Sequence, residues 1–482
     1  MREHAQYMST KEAPVFDDSM SSFFRNVRPG RSGDFEIPVG DGKQPIYSLR
    51  ARAVCIDMEE GVLNEVKRGP LGELFDANQF VKDVSGSGNN WAHGHCVYGP
   101  QYEEAIMETV RHTAEKCESL QSFFVMHSLG GGTGSGLGTY ILHCLADQFP
   151  DVYRFNTAVF PSGNEDVITS PYNSVLALNQ LREFADCVLP IDNQALIEIC
   201  KRIDAFRTND PATSSGTSAV RASASSGLPG EVVRSQSEAK LSGCVVPEFV
   251  TDPSKPATSQ SAKVKAFDDM NSIGAHLLTS LTASIRFPGP LNVDLNEITM
   301  NLVPFPRMHF LVSSMSPLYS LANSRLPPRG IDQMFSDTLL PEYHLMSVNP
   351  KKSAYLACSF LARGPTIQIA DLQRNVTRVK SMINLVPWNA DGFKVGLCSV
   401  PPYGLKQSVL SLSNNCCIRT VFEAMEERFM RLYRRRAHVH HYTDFTDASV
   451  FDDALDGLQS LIYDYNTAER TGFGGSERLV TL

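Results

Sequence analysis

Residues 123–137 read Phe-Phe-Val-Met-His-Ser-Leu-Gly-Gly-Gly-Thr-Gly-Ser-Gly-Leu, and the order of residue types in this stretch decides the fold. Phe123 to Ser128 is a short apolar run bounded by turn residues, which predicts a buried strand. A helical pattern begins near Leu137. Five glycines between Gly130 and Gly136 therefore sit between a strand and a helix start. Glycine lets backbone N–H groups converge with no Cβ in the way, and a helix start adds partial positive charge, so the loop suits phosphate oxygens. The Thr133 and Ser135 hydroxyls can cap the helix or touch a phosphate. A plain flexible turn is the competing reading.

The common phosphate cradles do not fit. A Walker loop needs Gly-Lys-Ser/Thr at the helix start, and this loop has no lysine; the dinucleotide pattern Gly-x-Gly-x-x-Gly cannot be laid over residues 130–138 or 86–91. Phosphate charge must then be met by backbone dipoles and a cation. Asp57 and Glu59, just past a strand end, can hold Mg2+ directly or through water, although such acids are commonly only solvated. A second small-residue loop, Ser85-Gly86-Ser87-Gly88-Asn89-Asn90-Trp91-Ala92, offers more phosphate contacts. Pro161 to Asp166 can approach a ribose, and Asp192-Asn193 follows another strand end. Phe267 and Asn271 are spaced i, i+4, so a ring and an amide share one helix face, where they serve either a base or the core.

Outward from the glycine loop, strands are expected at Tyr47–Asp57 and Arg154–Phe160, alternating with helix-length patterns. That alternation predicts an α/β, doubly wound, mostly parallel sheet with ligands at its carboxyl edge. Residues 1–206 form this nucleotide-binding unit. Residues 207–265 are read as a disordered insertion, since Pro211 to Lys265 holds twelve serines, five prolines and one aromatic residue. Residues 266–415 combine a long core helix with a second mixed α/β domain, with strands near Met308–Val312 and Ser353–Arg363. Residues 416–482 end the chain with an antiparallel helix pair.

Composition narrows the function classes. With 42% hydrophobic and 20% charged residues the chain has ample core material, and Lys+Arg 44 against Asp+Glu 53 repels nucleic acid and anionic membranes. Ser119 to Ala146 is long and uncharged but carries six glycines, which a membrane span would not. The eleven cysteines are scattered with no Cys-x-x-Cys pair, as expected of buried thiols in a reducing, cytosolic compartment. No basic, apolar leader opens the sequence. The Arg431, Arg434, Arg435, Arg436 cluster with His438, His440 and His441 is flanked by Glu426, Glu427 and Asp444 and reads as a solvated face.

Gly130–Gly136, Ser85–Ala92, Ile191–Leu196 (IDNQAL) and Arg286–Glu297 (RFPGPLNVDLNE) together make the chain resemble a tubulin. The resemblance covers about residues 47–206 and 266–466. Ser21–Val27, Ile56–Val62, Asp332–Asp337 and Glu427–Tyr442 place it with a divergent branch of that family. It implies guanine nucleotide, GTP or GDP, with Mg2+: Gly88, Asn89, Ser128, Gly130, Gly131, Gly132, Thr133, Gly134 and Ser135 towards the phosphates, Glu59 with Asp57 towards the metal, Asp166 near the ribose, and Asn193, Phe267 and Asn271 on the base. It also implies head-to-tail contact with other tubulins, with Glu297 acting in trans on a neighbour's GTP. Centriolar or basal-body proteins are the further partners implied, in the cytoplasmic cytoskeleton; a non-hydrolysing adaptor tubulin is the alternative. Met1 to His4 match the helix after the family's first strand and loop, so the expected sheet lacks that strand.

Overall fold

Helix α1 (Arg2–Met8) precedes a small antiparallel sheet in which β1 (Phe24–Arg28) lies between β2 (Phe35–Ile37) and β3 (Ser48–Ala51). The computed structural model describes residues 1–8, 15–30, 35–162, 167–208, 259–318 and 329–472. The single strand expected over Tyr47–Asp57 is broken: β3 ends at Ala51 and β4 (Cys55–Asp57) starts a different sheet. The break follows from the carbonyls between them. Gln79 Nε2 donates to Ala51 O at 2.7 Å and to Ala53 O at 2.8 Å, which takes both out of any continuous ladder.

The alternating unit follows: α2 (Glu60–Arg68), β5 (Phe80–Lys82), α3 (Gly99–Ala114), β6 (Ser122–Ser128), α4 (Gly138–Gln148), β7 (Tyr153–Phe160), α5 (Ser170–Phe184), β8 (Cys187–Asp192) and α6 (Asn193–Thr208). Every pairing in it is parallel. Strand β4 pairs with β5, Cys55 opposite Phe80, while β6, β7 and β8 form a three-stranded sheet with Val125 opposite Asn156 and Leu189 opposite Thr157. The two groups are not hydrogen-bonded to each other among the described residues. Burial follows pairing: β8 is buried along nearly its whole length, whereas Met126 in β6 is 63% exposed.

Helix α7 (Ser259–Leu281) then crosses between this unit and the second sheet, packing Ile273, Leu277 and Leu281 with Leu189, Leu311 and Leu410 in one cluster. Most of the Ser/Pro-rich stretch expected over 207–265 lies outside the described residues. After α8 (Leu295–Leu302) come β9 (Leu311–Ser316), α9 (Ile331–Asp337), β10 (Tyr355–Arg363), α10 (Ile369–Lys380), β11 (Phe393–Cys398) and β12 (Ser408–Asn415). Their sheet runs β9-β12-β10-β11, with β10 and β11 parallel and the other pairs antiparallel. Val188 N donates to His309 O at 2.9 Å and stitches the sheets together. The closing helices α11 (Arg419–Tyr433) and α12 (Ser449–Gly472) bury Phe422, Phe429, Leu458 and Tyr465 against Leu178 and Leu181 of α5. The whole is an α/β, doubly wound architecture with a mixed second sheet and a helical end.

One polar knot holds α1 to this frame. Glu3 lies 3.0 Å from Arg363 Nη1 and 2.7 Å from Arg286 Nη1, with the Arg363 side chain 1% exposed. Burial alone would raise the Glu3 carboxyl, but the Arg363 and Arg286 guanidiniums hold it below its ordinary value.

Candidate functional site

Strand β6 delivers the chain to Ser128, and Leu129 N donates to Val159 O at 3.0 Å, extending the ladder by one residue. The glycines follow, then one wide turn over Thr133–Leu137 that opens into α4. Inside that turn Ser135 Oγ donates to Gly131 O, and Thr139 Oγ1 donates to Ser135 O at 2.6 Å. The Ser135 hydroxyl is therefore spent within the loop. Gly130 is likewise held from behind, its carbonyl accepting from Asn173 Nδ2 at 2.9 Å.

The second loop reaches its shape through left-handed backbone at Gly86, Gly88 and Asn89, with φ of 60°, 58° and 53°. Asparagine is among the few side chains that tolerate this region. Its position is locked from outside: Asn173 Nδ2 donates to Asn89 O at 2.8 Å, Thr169 Oγ1 donates to the same carbonyl at 3.1 Å, and Asn173 Oδ1 accepts from Trp91 N at 2.9 Å. The two loops touch directly, Ser87 Oγ lying 3.0 Å from Thr133 Oγ1. Gly132 is required by that contact, since a Cβ there would run into Ser87 Oγ and come within 2.6 Å of Asn90 N. A Cβ on Gly131 would meet nothing nearer than Asn89 Oδ1 at 3.7 Å, so that residue faces open space.

The open space is a cavity of about 1240 Å3 bordered by Asp57, Glu59, Gly88, Asn89, Ser128 and Gly131 to Gly134. Nine expected site residues thus surround one volume. Asp166 lies outside the described residues, as does the side chain of Phe267, which belongs to α7. Asn193 begins α6 and Asn271 is exposed on α7; neither borders the cavity. Asn173 and Thr169 emerge only from the structure, as does the contact of Ser87 with Thr133. Helix α5 reads SPYNSVLALNQLREF, so Asn173 is one polar residue among several and no pattern in the sequence singles it out.

Electrostatics suits an anion accompanied by its own cation. His127 accepts or shares a 2.8 Å hydrogen bond with Asn156 Nδ2, and burial pushes its ring down to about 4, so it is neutral near pH 7. His95, stacked on Trp91 at 4.4 Å behind Gly136, is held to about 4 for the same reason. Arg52 borders the cavity only at the end away from the glycine loops. Beside the second loop, where Gly86 N donates to Met58 O at 2.8 Å, Asp57 Oδ1 accepts from Glu59 N at 3.3 Å, leaving carboxylate oxygens for a hard cation. Two carboxylates together with phosphate oxygens are the usual company of Mg2+, so the residues present fit a nucleotide with its metal.

Glu297 stands apart, in the first turn of α8, where Asp294 caps the helix by accepting from Glu297 N at 2.7 Å. Its carboxylate is 39% exposed and pairs with Lys394 Nζ at 3.0 Å. Met300, one turn on, is 68% exposed.

Among the described residues no helix is long and apolar enough to cross a membrane. Residues 4–201 match the Tubulin/FtsZ family GTPase domain, and residues 306–427 match the tubulin C-terminal domain. The chain is 49% identical over 477 residues to the Tubulin epsilon chain of Mus musculus, covering 98% of this chain and 92% of that one. With the Tubulin epsilon chain of Homo sapiens it shares 48% identity over the same span and coverage. A GTPase domain of this kind is a guanine-nucleotide domain, and its boundaries enclose both glycine loops and the acidic strand end. By its two domains and by its epsilon-chain relatives, this chain belongs to the tubulin family.

Proposed function

We propose that the cavity between the two loops holds GTP or GDP, with phosphates against Gly131 to Gly134 and Gly88-Asn89, and Mg2+ held by Asp57 and Glu59. The observation that carries the reading is the Ser87–Thr133 contact, which brings two loops from distant sequence around one volume that two acids also border. Ser128, Gly130 and Ser135 are read as phosphate contacts with them, Ser135 through its backbone because its hydroxyl donates to Gly131 O. Asp166 is read as a ribose contact, and Asn193, Phe267 and Asn271 as base contacts. The metal, when bound, neutralises phosphate charge; the chain's own part is to orient the phosphates with backbone N–H groups that need no rearrangement.

The protein acts with other tubulins, head to tail, in microtubule organisation at the centriole or basal body, and Glu297 serves a neighbour's nucleotide. An exposed carboxylate in a capped helix turn is positioned to accept a proton from an attacking water in the adjoining subunit. The Lys394 pair favours a second reading, in which Glu297 is held in reserve and the protein keeps its nucleotide without hydrolysing it. Nucleotide released from the purified, denatured protein and identified by chromatography tests the first claim. Finding neither guanine nucleotide nor rebinding of it would end it; retained GTP with no turnover in a mixed assembly would favour the second reading.

A further inference from the structure

Helix α11 ends at Tyr433, and the chain turns through Arg434–Tyr442 before α12 begins. The turn is tight: Arg436 N donates to Tyr433 O at 2.9 Å and Ala437 N donates to Leu432 O at 3.2 Å. Arg436 and His438 take left-handed backbone, with φ of 48° and 61°. An arginine is disfavoured there, so its surroundings must hold it. Among the described residues one other non-glycine shares this conformation, Asn89 of the second glycine loop.

The turn and that loop are bonded to each other. Asn90 Nδ2 donates to His441 O at 2.7 Å while Asn90 Oδ1 accepts from Ala92 N at 2.9 Å, so one amide side chain joins the two segments. Tyr442, fully buried, donates its hydroxyl to Asn173 Oδ1 at 2.6 Å, and Tyr172 Oη donates to Ala437 O at 2.8 Å. Tyr442 decides which way the Asn173 amide points. Asn173 Oδ1 also accepts from Trp91 N, so both of its lone pairs are filled. With the oxygen fixed there, Nδ2 faces Asn89 O and Gly130 O, one carbonyl in each glycine loop. Asn89 and Gly131 border the cavity, whereas Tyr442 and Asn173 do not. Tyr442 therefore reaches the cavity only through other residues.

We infer that Tyr442 is a positioning residue for bound guanine nucleotide, and that the turn Arg434–Tyr442 is a latch whose bonds to Asn173 and Asn90 keep both phosphate loops in place and slow nucleotide release. Backbone N–H groups stabilise phosphate charge only while they are held in advance of binding. The latch supplies that hold from behind the loops, where no ligand reaches. Its outer side, Arg434 to Arg436 with His440 and His441, is exposed, so the same turn links the protein surface to the site. The nucleotide part of this inference rests on the reading given under the proposed function; the hold on the loops belongs to the protein with or without ligand.

Tyr442→Phe keeps the ring against Tyr172 and Phe451 and deletes only the hydroxyl. Release of methylanthraniloyl-GDP with Mg2+ from the full chain, followed by stopped flow, should be at least tenfold faster, with association changed less than twofold. In the ligand-free protein, amide exchange should be at least tenfold faster at Asn90 to Ala92 and unchanged in β8. A role in general stability would instead speed exchange equally in both segments, and that result overturns the inference. Asn90→Ala, at a half-buried position, should speed release to a similar degree and keeps the test decisive whether or not Tyr442→Phe folds. Release at the unaltered rate in the folded variants sinks the latch and leaves the nucleotide reading standing. Failure of the unaltered protein to bind methylanthraniloyl-GDP sinks the nucleotide reading, and exchange at Asn90 to Ala92 then decides the hold on the loops by itself.

Discussion

Lys394 Nζ lies 3.0 Å from Glu297 Oε2, across the gap between β11 and the first turn of α8. The pair joins two segments nearly a hundred residues apart, and both partners are partly exposed, so it contributes at most about 1 kcal/mol to stability. Its consequence is orientation. A carboxylate fixed by a cation and by its helix cap presents its free oxygen to whatever docks on that face.

Glu297→Ala should therefore leave the melting temperature within a few degrees while lowering GTP turnover in a mixed tubulin assembly by roughly 100-fold or more, the usual scale for a general base. Lys394→Met should change turnover with equally little effect on folding. Steady-state phosphate release checks both; turnover unchanged by Glu297→Ala removes the in-trans role.

Asn173 is the joint between the glycine loops, fully buried and bonded to Asn89 O, Gly130 O, Trp91 N and, at 2.6 Å, Tyr442 Oη. Asn173→Ala leaves several buried groups unpaired, each costing about 1–3 kcal/mol. A loss of at least 3 kcal/mol in urea unfolding is expected, with weakened binding of a fluorescent guanine nucleotide. Asn173→Asp, which cannot donate to the two carbonyls, should resemble it.

Gly131→Ala and Gly132→Ala separate ligand contact from loop packing. The Gly132 methyl must push Ser87 and Asn90 away, an overpacking cost of about 1–3 kcal/mol. The Gly131 methyl meets no close neighbour and enters the cavity instead. Thermal melts should drop for Gly132→Ala and hold for Gly131→Ala, while nucleotide affinity falls in both. Full affinity in Gly131→Ala would move the phosphates elsewhere.

Glu3→Gln strips the charge from a carboxylate that faces Arg286 and Arg363 in the interior. Removing one partner of a buried pair costs about 3–5 kcal/mol, because the remaining charge stays buried. Because its folded value is depressed, the Glu3 contribution is present above the ordinary carboxylate range and lost as pH falls through the folded value. Urea unfolding at pH 7 and pH 3 should show the variant's deficit shrinking at the lower pH.

His344 is 4% exposed, and burial pushes its ring from 6.5 down to about 4. The fold holds it neutral, whereas the unfolded chain takes up a proton below about 6.5. The unfolded state thus binds more protons between those values, and stability falls as pH drops through that window. The difference amounts to roughly 3 kcal/mol. His344→Phe should flatten the fall in the urea midpoint between pH 7 and pH 4.5; an identical fall in the variant places the ring outside the titrating set.

The local part of this protein was legible in its residues. Apolar runs, a glycine loop and helical periodicity act over ten to twenty positions, so the strand–loop–helix at Phe123 to Leu137, the Asp294 helix start and the closing helix pair could be placed before any coordinates. Tyr47–Asp57 misled because alternation persists across β3 and β4, while the break depends on Gln79, 26 and 28 residues away.

What only the tertiary structure decided are relations between distant side chains. Ser87 meets Thr133 across 46 positions, Asn173 ties loops 84 and 43 positions behind it, and Glu3 reaches Arg363 across 360. No periodicity records such pairs, because burying a polar group is tolerated only when a partner arrives from elsewhere in the fold. The sequence alone settled which residues could form a phosphate loop and a parallel sheet. Whether those loops close on one volume depended on how helices and sheets pack, which is a property of the folded chain as a whole.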